Sequence, residues 1–331
     1  MKLSILDQAP VSSNQSAKDA LEQSIMLAQA AEELGYSRYW IAEHHDLQGL
    51  ACPAPEVMLA AIGARTNRIR IGSGAILLPH YKPFKVAELF NLLATLFPGR
   101  IDIGIGRAPG GAAEVTGALS DHFLQNVWKY PQSIKELLHF LNNDHPEGSD
   151  LAKIKAAPLP DIKPEPWLLG TSRKSALLAG EYGMAYAFGL FMSDKDGEEI
   201  VRYYHESFKP GSIQKPEVIL TISAICADTF EEAEDIALSS LIWSIQTGKG
   251  DGGAGVPSIE EAKQYKLTGS EKETLEDLKR KMIIGDPQQV RKKLLALQEQ
   301  YGTDEIMIVT IAHSPEDRLK SYRLIAEGRS I

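Results

Sequence analysis

The succession of strand and helix signals in this 331-residue chain predicts one (β/α)8 barrel, an α/β fold, spanning residues 1–331 as a single domain. Three observations carry that expectation. Strand candidates alternate with helix candidates almost from end to end. Polar and titratable residues gather where the apolar strand runs stop, as they do at the mouth of a barrel. The turn after the first strand, Asp7-Gln8-Ala9-Pro10, has no glycine fingerprint, which argues against two dinucleotide-binding halves.

Residues 3–8 form the first predicted strand. The helix over 18–34 places Leu21, Ile25, Ala28 and Ala31 on one face and stops at Gly35. Strand two covers 38–42, a helix 54–66 and strand three 69–78. The next helix, 84–97, is stopped by Pro98-Gly99 before strand four at 100–105. A helix over 121–142 and a polar, proline-rich connection over 144–164 follow. Residues 166–169 are a short apolar run between prolines and Gly170, and read as buried strand five.

The helix after it carries Ala176, Leu177, Ala179 and Gly180 at helical spacing, with Gly183 at the C-cap position. Strand six is 184–188, its helix 195–208, and strand seven 217–227. The helix over 229–246 has Asp228 or Thr229 as N-cap, with Glu231, Glu232 and Glu234 in its first turn. The alternation then breaks. Residues 247–255 are glycine-rich and 256–281 strongly charged, so 247–284 reads as an insertion before the last βα unit, part helix and part mobile lid. Asp286 and Pro287 restart the pattern as N-cap and N1 of a helix running to Tyr301. Strand eight is 305–311 and the closing helix 315–327.

Composition narrows the function classes. With 44% hydrophobic and 24% charged residues, the chain has the make-up of a globular protein. A formal charge of −9 without a basic stripe argues against nucleic acid as a partner. No run approaches the roughly 20 apolar residues of a membrane helix. The start, MKLSILDQAP, does not read as a signal peptide. Two cysteines, Cys52 and Cys226, are too few for a disulfide framework, so the cytoplasm is the expected compartment.

The strand ends hold the chemistry. Strand two closes in Glu43-His44-His45-Asp46, and alternation along it turns Trp40, Ala42 and His44 inward. A metal site would need His44, His45, Glu43 and His80 to converge, and the spaced ligand pairs of zinc sites are missing. Histidines satisfied by loop hydrogen bonds are the plainer alternative. Gly72-Ser73-Gly74-Ala75 in strand three leave room for a flat ring against backbone, or for tight packing alone. Arg107, amid glycines at the end of strand four, can reach a phosphate. Gly170-Thr171-Ser172-Arg173-Lys174-Ser175 joins strand five to a helix start. Free N–H groups, the helix dipole and hydroxyls there suit an anion, although any Ser-capped helix looks the same.

Taken in order, LSILDQAP, ELGYSRYWIAEHH, RIRIGSGAILLPHYKP, LFPGRIDIGIGRAPGG, LLGTSRKSALLAGEYG and GDPQQVRKKLLALQEQYGTDEIMIVT give the chain a resemblance along nearly its whole length. It resembles the luciferase-like, flavin-dependent monooxygenase family. The resemblance implies a barrel that binds FMN rather than NAD, taking reduced FMN as co-substrate from a partner flavin reductase. With O2 the protein would oxygenate a small organic substrate. It also implies a non-proline cis peptide at Gly74-Ala75 under the flavin ring, a phosphate arginine at Arg107 and a cofactor contact at Pro109. Gly170, Thr171, Ser172 and Ser175 would form the phosphate turn, and His44 would assist catalysis as a base or hydrogen-bond donor of near-neutral pKa. Homodimerisation is the family's habit. Gly106 stands where luciferase carries a reactive cysteine. Two other functions fit such a barrel: a deazaflavin-dependent hydride-transfer dehydrogenase and a non-catalytic flavin-binding protein.

Overall fold

The computed structural model describes residues 1–249 and 255–328. Its strands are β1 (Lys2–Asp7), β2 (Arg38–Ile41), β3 (Arg70–Leu77), β4 (Ile101–Gly106), β5 (Glu165–Gly170), β6 (Ala185–Gly189), β7 (Val218–Cys226), β8 (Met282–Gly285) and β9 (Glu305–Val309). All pairings are parallel. Seven strands pair in sequence from β1 to β7, and β9 then bridges β7 and β1 to close an eight-stranded barrel. β7 is long enough to serve two partners. Its first half, Ile219 to Ser223, pairs with β9, and its second, Ser223 to Cys226, pairs with β8 outside the closed ring. That outer strand is an addition to the expected pattern, in which strand eight corresponds to β9.

The helices wrap the outside. α1 (Ala17–Glu33), α2 (Pro55–Gly63) and α3 (Pro83–Leu96) follow the first three strands. The stretch expected as one helix over 121–142 divides at Lys129 into α5 (Phe123–Trp128) and α6 (Tyr130–Asn142), preceded by α4 (Ala113–Leu119). α4 buries none of its side chains, so no apolar stripe announced it. α7 (Arg173–Glu181), α8 (Gly197–Ser207) and α9 (Phe230–Gly248) follow, with Thr229 serving as the α9 cap. α10 (Ile259–Gln264) and α11 (Gly269–Arg280) pack on α9 around Ile236, Leu241, Leu275 and Ile284. Residues 250–254 of the expected insertion lie outside the described residues. α12 (Pro287–Tyr301), capped by Asp286 with Pro287 in its first turn, and α13 (Pro315–Glu327) complete the ring. No described helix is long and apolar enough to cross a membrane.

Alternation along each strand sorts side chains into two cores. Ile5, Ile41, Ile71 and Ile103 face outward into the layer beneath the helices. Leu6, Trp40, Trp167, Ala187, Ile219 and Met307 fill the barrel, where the Trp40 and Trp167 rings meet edge-on at 5.5 Å. The N-terminal end of the barrel is closed by charge. Arg38 reaches Asp102 at 2.9 Å, Glu305 at 3.1 Å and Glu165 at 3.4 Å, and its guanidinium lies 4.6 Å from the Trp167 ring centre. Arg70 pairs with Asp102 and Glu165, and Trp40 Nε1 donates to Asp102. With that end plugged, the opposite end is the one left open.

Candidate active site

A cavity of about 720 Å³ occupies the C-terminal mouth of the barrel, within the size range of ligand sites. Its walls come from the ends of β1 to β7 and from α5, α6 and α7. His44 lines it, following Ala42 on the inward face as alternation required. The His44 backbone N–H donates to the Cys52 carbonyl (2.9 Å), which fixes the loop. Ring atom Nδ1 is buried without a hydrogen-bond partner, leaving Nε2 as the nitrogen available to the cavity. Burial, helped by neighbouring His45, lowers the pKa of His44 to about 4. Burial thus moves His44 away from the near-neutral value of the free side chain and favours the uncharged imidazole at pH 7.

Glu43 also lines the cavity, but its carboxylate is tied to the loops behind. It accepts from the Leu77 N–H (2.9 Å) and the Tyr81 hydroxyl (2.7 Å), and lies 2.8 Å from His45 Nε2. Burial raises its pKa. His80 Nε2 is 2.8 Å from the Pro109 carbonyl. The side chains a metal site would have to gather are thus divided: Glu43 and His45 bond each other, His80 the β4 loop. Among the described residues no three His, Cys, Asp or Glu groups are placed to share an ion.

The floor is made of small residues, and packing explains some of them. A Cβ on Gly74 would lie 2.4 Å from Leu6 Cδ1, and one on Gly104 2.1 Å from the Ser73 carbonyl oxygen. Ala75 and Gly106 face the cavity, and a Cβ on Gly106 would come within 2.9 Å of Ala75 Cβ. The Gly74–Ala75 peptide bond is cis. The neighbours that exclude a side chain at Gly74 and Gly104 are strand residues, Leu6 and Ser73, rather than the helix packing that was the alternative for strand three.

At the far wall, Gly170, Thr171, Ser172, Lys174 and Ser175 line the cavity, as does Arg107. Ser172 and Ser175 form a reciprocal capping box on α7, with Ser175 N–H donating to Ser172 Oγ (3.3 Å) and Ser172 N–H to Ser175 Oγ (3.2 Å). The Ser175 hydroxyl also donates to the Ser172 carbonyl (2.7 Å) and meets Tyr186 Oη at 3.1 Å. The capped helix start that the sequence offered as the plainer reading is therefore present, and it lines the cavity. Ser172→Ala is expected to lower stability by about 1 kcal/mol through the lost cap, read by a urea melt. Pro109 does not reach the cavity; its carbonyl is held by His80. Cys52 and Cys226 are buried, and burial pushes both thiols up to about 12, out of reach of reaction at neutral pH.

Several walls were not foreseen. Thr221 is a polar residue inside the apolar strand β7, and Gly189, Phe191 and Met192 lie at and just beyond the end of β6; both were signals available in the sequence. Trp128 and Leu178 carried none, because their placement depends on how α5 and α7 lie over the mouth.

A parallel barrel with small residues, a buried histidine and a basic, hydroxyl-rich helix start gathered at one mouth has the lining of a ligand site. The chain belongs to the luciferase-like monooxygenase family, whose model matches residues 1–304. It is 45% identical to the uncharacterized protein YceB of Bacillus subtilis (strain 168), over 98% of each chain. It is 36% identical to the N-acetyl-S-alkylcysteine monooxygenase of the same organism, covering 99% of this chain and 98% of that one. The solved structure of apo-MsnO8 superposes with a TM-score of 0.88 at 34% identity, covering 99% of this chain and 97% of the other. The protein is a flavin-dependent oxidoreductase of the monooxygenase type.

Proposed function

We propose that this protein is the oxygenase of a two-component system that takes reduced FMN from a separate flavin reductase and uses O2 to oxygenate a small organic substrate. The observation carrying the reading is one cavity that joins the Gly74-Ala75 floor, His44 and the α7 start. The residues fit the cofactor. Leaving Gly106 without a side chain keeps space over Ala75, where a Cβ would intrude, and the buried, unpartnered Nδ1 marks His44 as part of a site rather than of the core. The N–H groups of α7 with Thr171, Ser172 and Arg107 suit a terminal phosphate.

When bound, the reduced flavin supplies the electrons that activate O2 for transfer to the substrate. The protein's share is positional. Gly74, Ala75 and Gly106 hold a flat ring against the strands, and Leu6, Leu169, Ala187 and Phe191 keep water from the reacting end. His44 Nε2, neutral at pH 7, offers a hydrogen bond without adding charge to that end. The turn after β1 lacks the glycine fingerprint of a dinucleotide turn, which supports delivery of flavin already reduced elsewhere. The expected lid over 247–284 is cut back at its end, because Met282 to Ile284 belong to β8; the stretch before β8 acts as the lid in this reading, supported by Val256 N–H donating to the Val11 carbonyl (2.8 Å) in the loop beside cavity residue Gln8. Protection of that segment from proteolysis by reduced FMN is the check. Homodimerisation in the cytoplasm belongs to the same reading, supported by exposed Val57, Leu92 and Leu96 on α2 and α3, with sedimentation as its measure.

Anaerobic titration of photoreduced FMN, followed by air, tests the function. Saturable binding and reoxidation slower than in the free-flavin control are expected. A screen for substrate-dependent O2 uptake then begins with thioethers, on the lead of the relative that acts on N-acetyl-S-alkylcysteines. Failure to bind reduced FMN, or stronger binding of a reduced deazaflavin, sinks the proposal.

A further inference from the structure

In the closed ring β9 stands opposite β4, with β1 and β7 on either side of it. The β3 and β4 side of the cavity carries Gly74, Ala75 and Gly106, and the lysine and arginine of the lining, Lys174 and Arg107, follow β5 and β4. Across the cavity, flanking β9, two uncharged polar residues belong to the lining: Gln8, just past β1, and Thr221, within β7. Neither side chain makes a hydrogen bond among the described residues.

Thr221 is 4% exposed, and its register partner on β9 is Met307, which is fully buried. Other buried hydroxyls around the barrel are bonded. Ser73 donates to the Gly104 carbonyl (2.9 Å), Thr303 to that of Val218 (2.6 Å) and Thr310 to that of Ala224 (2.8 Å). A hydroxyl kept from water and from protein acceptors costs stability, and valine would fill the same space without that cost. The Thr221 hydroxyl is therefore placed for something the cavity holds. Gln8 is fixed from both sides. Asp7, buried before it, pairs with Arg318, accepts the Tyr39 hydroxyl and accepts the Ala9 N–H at 2.7 Å. Ala9, after it, is fully buried and sits in the left-handed region at φ 49°, a conformation that a side chain disfavours.

The two groups share one chemistry. A primary amide presents a donor and an acceptor side by side, and a hydroxyl can act as either. Their complement is an uncharged group that also offers both, which describes a carboxamide. A carboxylate would bring a charge to a wall whose free groups are neutral. Glu43, the acidic residue of the lining, is occupied by Leu77, Tyr81 and His45. Resting on the FMN reading above, we infer that Gln8 and Thr221 form the polar subsite for the substrate, and that it takes an uncharged carboxamide carried on an apolar body. The body then lies between the β9 wall and the glycine floor, with His44, after β2, at its side.

The test titrates hexanamide, methyl pentyl ketone and hexanoate into the full-length protein saturated with reduced FMN, without oxygen, followed by ligand-observed NMR. Wild type is compared with Thr221→Val and Gln8→Met. Each substitution removes a polar group that has no partner in the fold, so both variants are expected to melt at or above the wild-type temperature. Wild type should bind hexanamide about fivefold more tightly than the ketone and about tenfold more tightly than hexanoate. Each variant should weaken hexanamide about fivefold and hold reduced FMN within about twofold of wild type. No binding of hexanamide, equal binding of hexanoate or of the ketone, or unchanged variants would overturn the assignment while leaving the FMN reading intact. Variants that lose reduced FMN affinity would hand the two groups to the flavin and overturn the substrate role. A wild type that binds no reduced FMN would overturn the reading beneath it.

Discussion

Replacing His44 with Asn is expected to lower turnover about 100-fold while the dissociation constant of reduced FMN changes less than twofold. The reasoning starts from the two ring nitrogens. Asn reproduces the reach of Nδ1, the atom that is buried and unpartnered, but not that of Nε2, which is left for the cavity. Gln reaches the Nε2 position with an amide. Because burial holds the His44 pKa near 4, the imidazole is a weak base at pH 7, and its useful property there is a neutral hydrogen bond. His44→Gln should therefore retain activity within about tenfold of wild type, since the bond survives without a titrating group. A Gln variant as inactive as Asn would mean that a proton must be passed, and the neutral role would fall.

The same side chain predicts an acid limb in stability. The unfolded chain protonates His44 near its ordinary pKa of about 6.5, whereas the native protein resists until about pH 4. The unfolded state then binds more protons across that window, so native stability falls as pH drops from 6.5 to 4, by up to about 3 kcal/mol. His44→Asn lacks the linked proton. Any stability gap between wild type and variant at pH 7 should shift in the variant's favour by pH 4.5, measured by urea melts at the two values.

The barrel was legible because alternation and helix stops are local. Trp40, Ala42 and His44 point inward for no reason beyond strand period, and Asp286 with Pro287 starts α12 by capping chemistry alone. β8 escaped because Met282-Ile283-Ile284 follows a highly charged helix and its partner, the second half of β7, is more than fifty residues back. The site divides along the same line. Its glycines, hydroxyls and His44 announce themselves as residue types at strand ends. The depressed pKa of His44 does not, since burial belongs to the fold. Nor does the split between Arg173, whose guanidinium lies 4.0 Å from the Tyr203 ring centre, and Lys174, which lines the cavity. Sequence names the candidates; packing decides which side chain reaches the cavity.

Arg38→Met is the stability experiment with the largest expected effect, a loss of about 3–5 kcal/mol. Arg38 shares its charge among Asp102, Glu305 and Glu165 across strands far apart in sequence, and only closure of the barrel brings them together. The buried pairs add little net stability while intact, because desolvation offsets the attraction. Removing the cation alone is different. Asp102 keeps Arg70 and the Trp40 N–H, and Glu165 keeps Arg70. Glu305, 5% exposed, is left with the Ser4 hydroxyl at 2.5 Å as its remaining side-chain donor. An uncompensated buried carboxylate should lower the thermal midpoint by roughly 4–7 °C. Met also fills the space over Trp167, so a packing defect is not the main term. Neutralising the orphan should therefore restore stability: Arg38→Met with Glu305→Gln is expected to melt above Arg38→Met alone. If the double variant melts lower, the two losses add independently and the plug works through packing rather than charge.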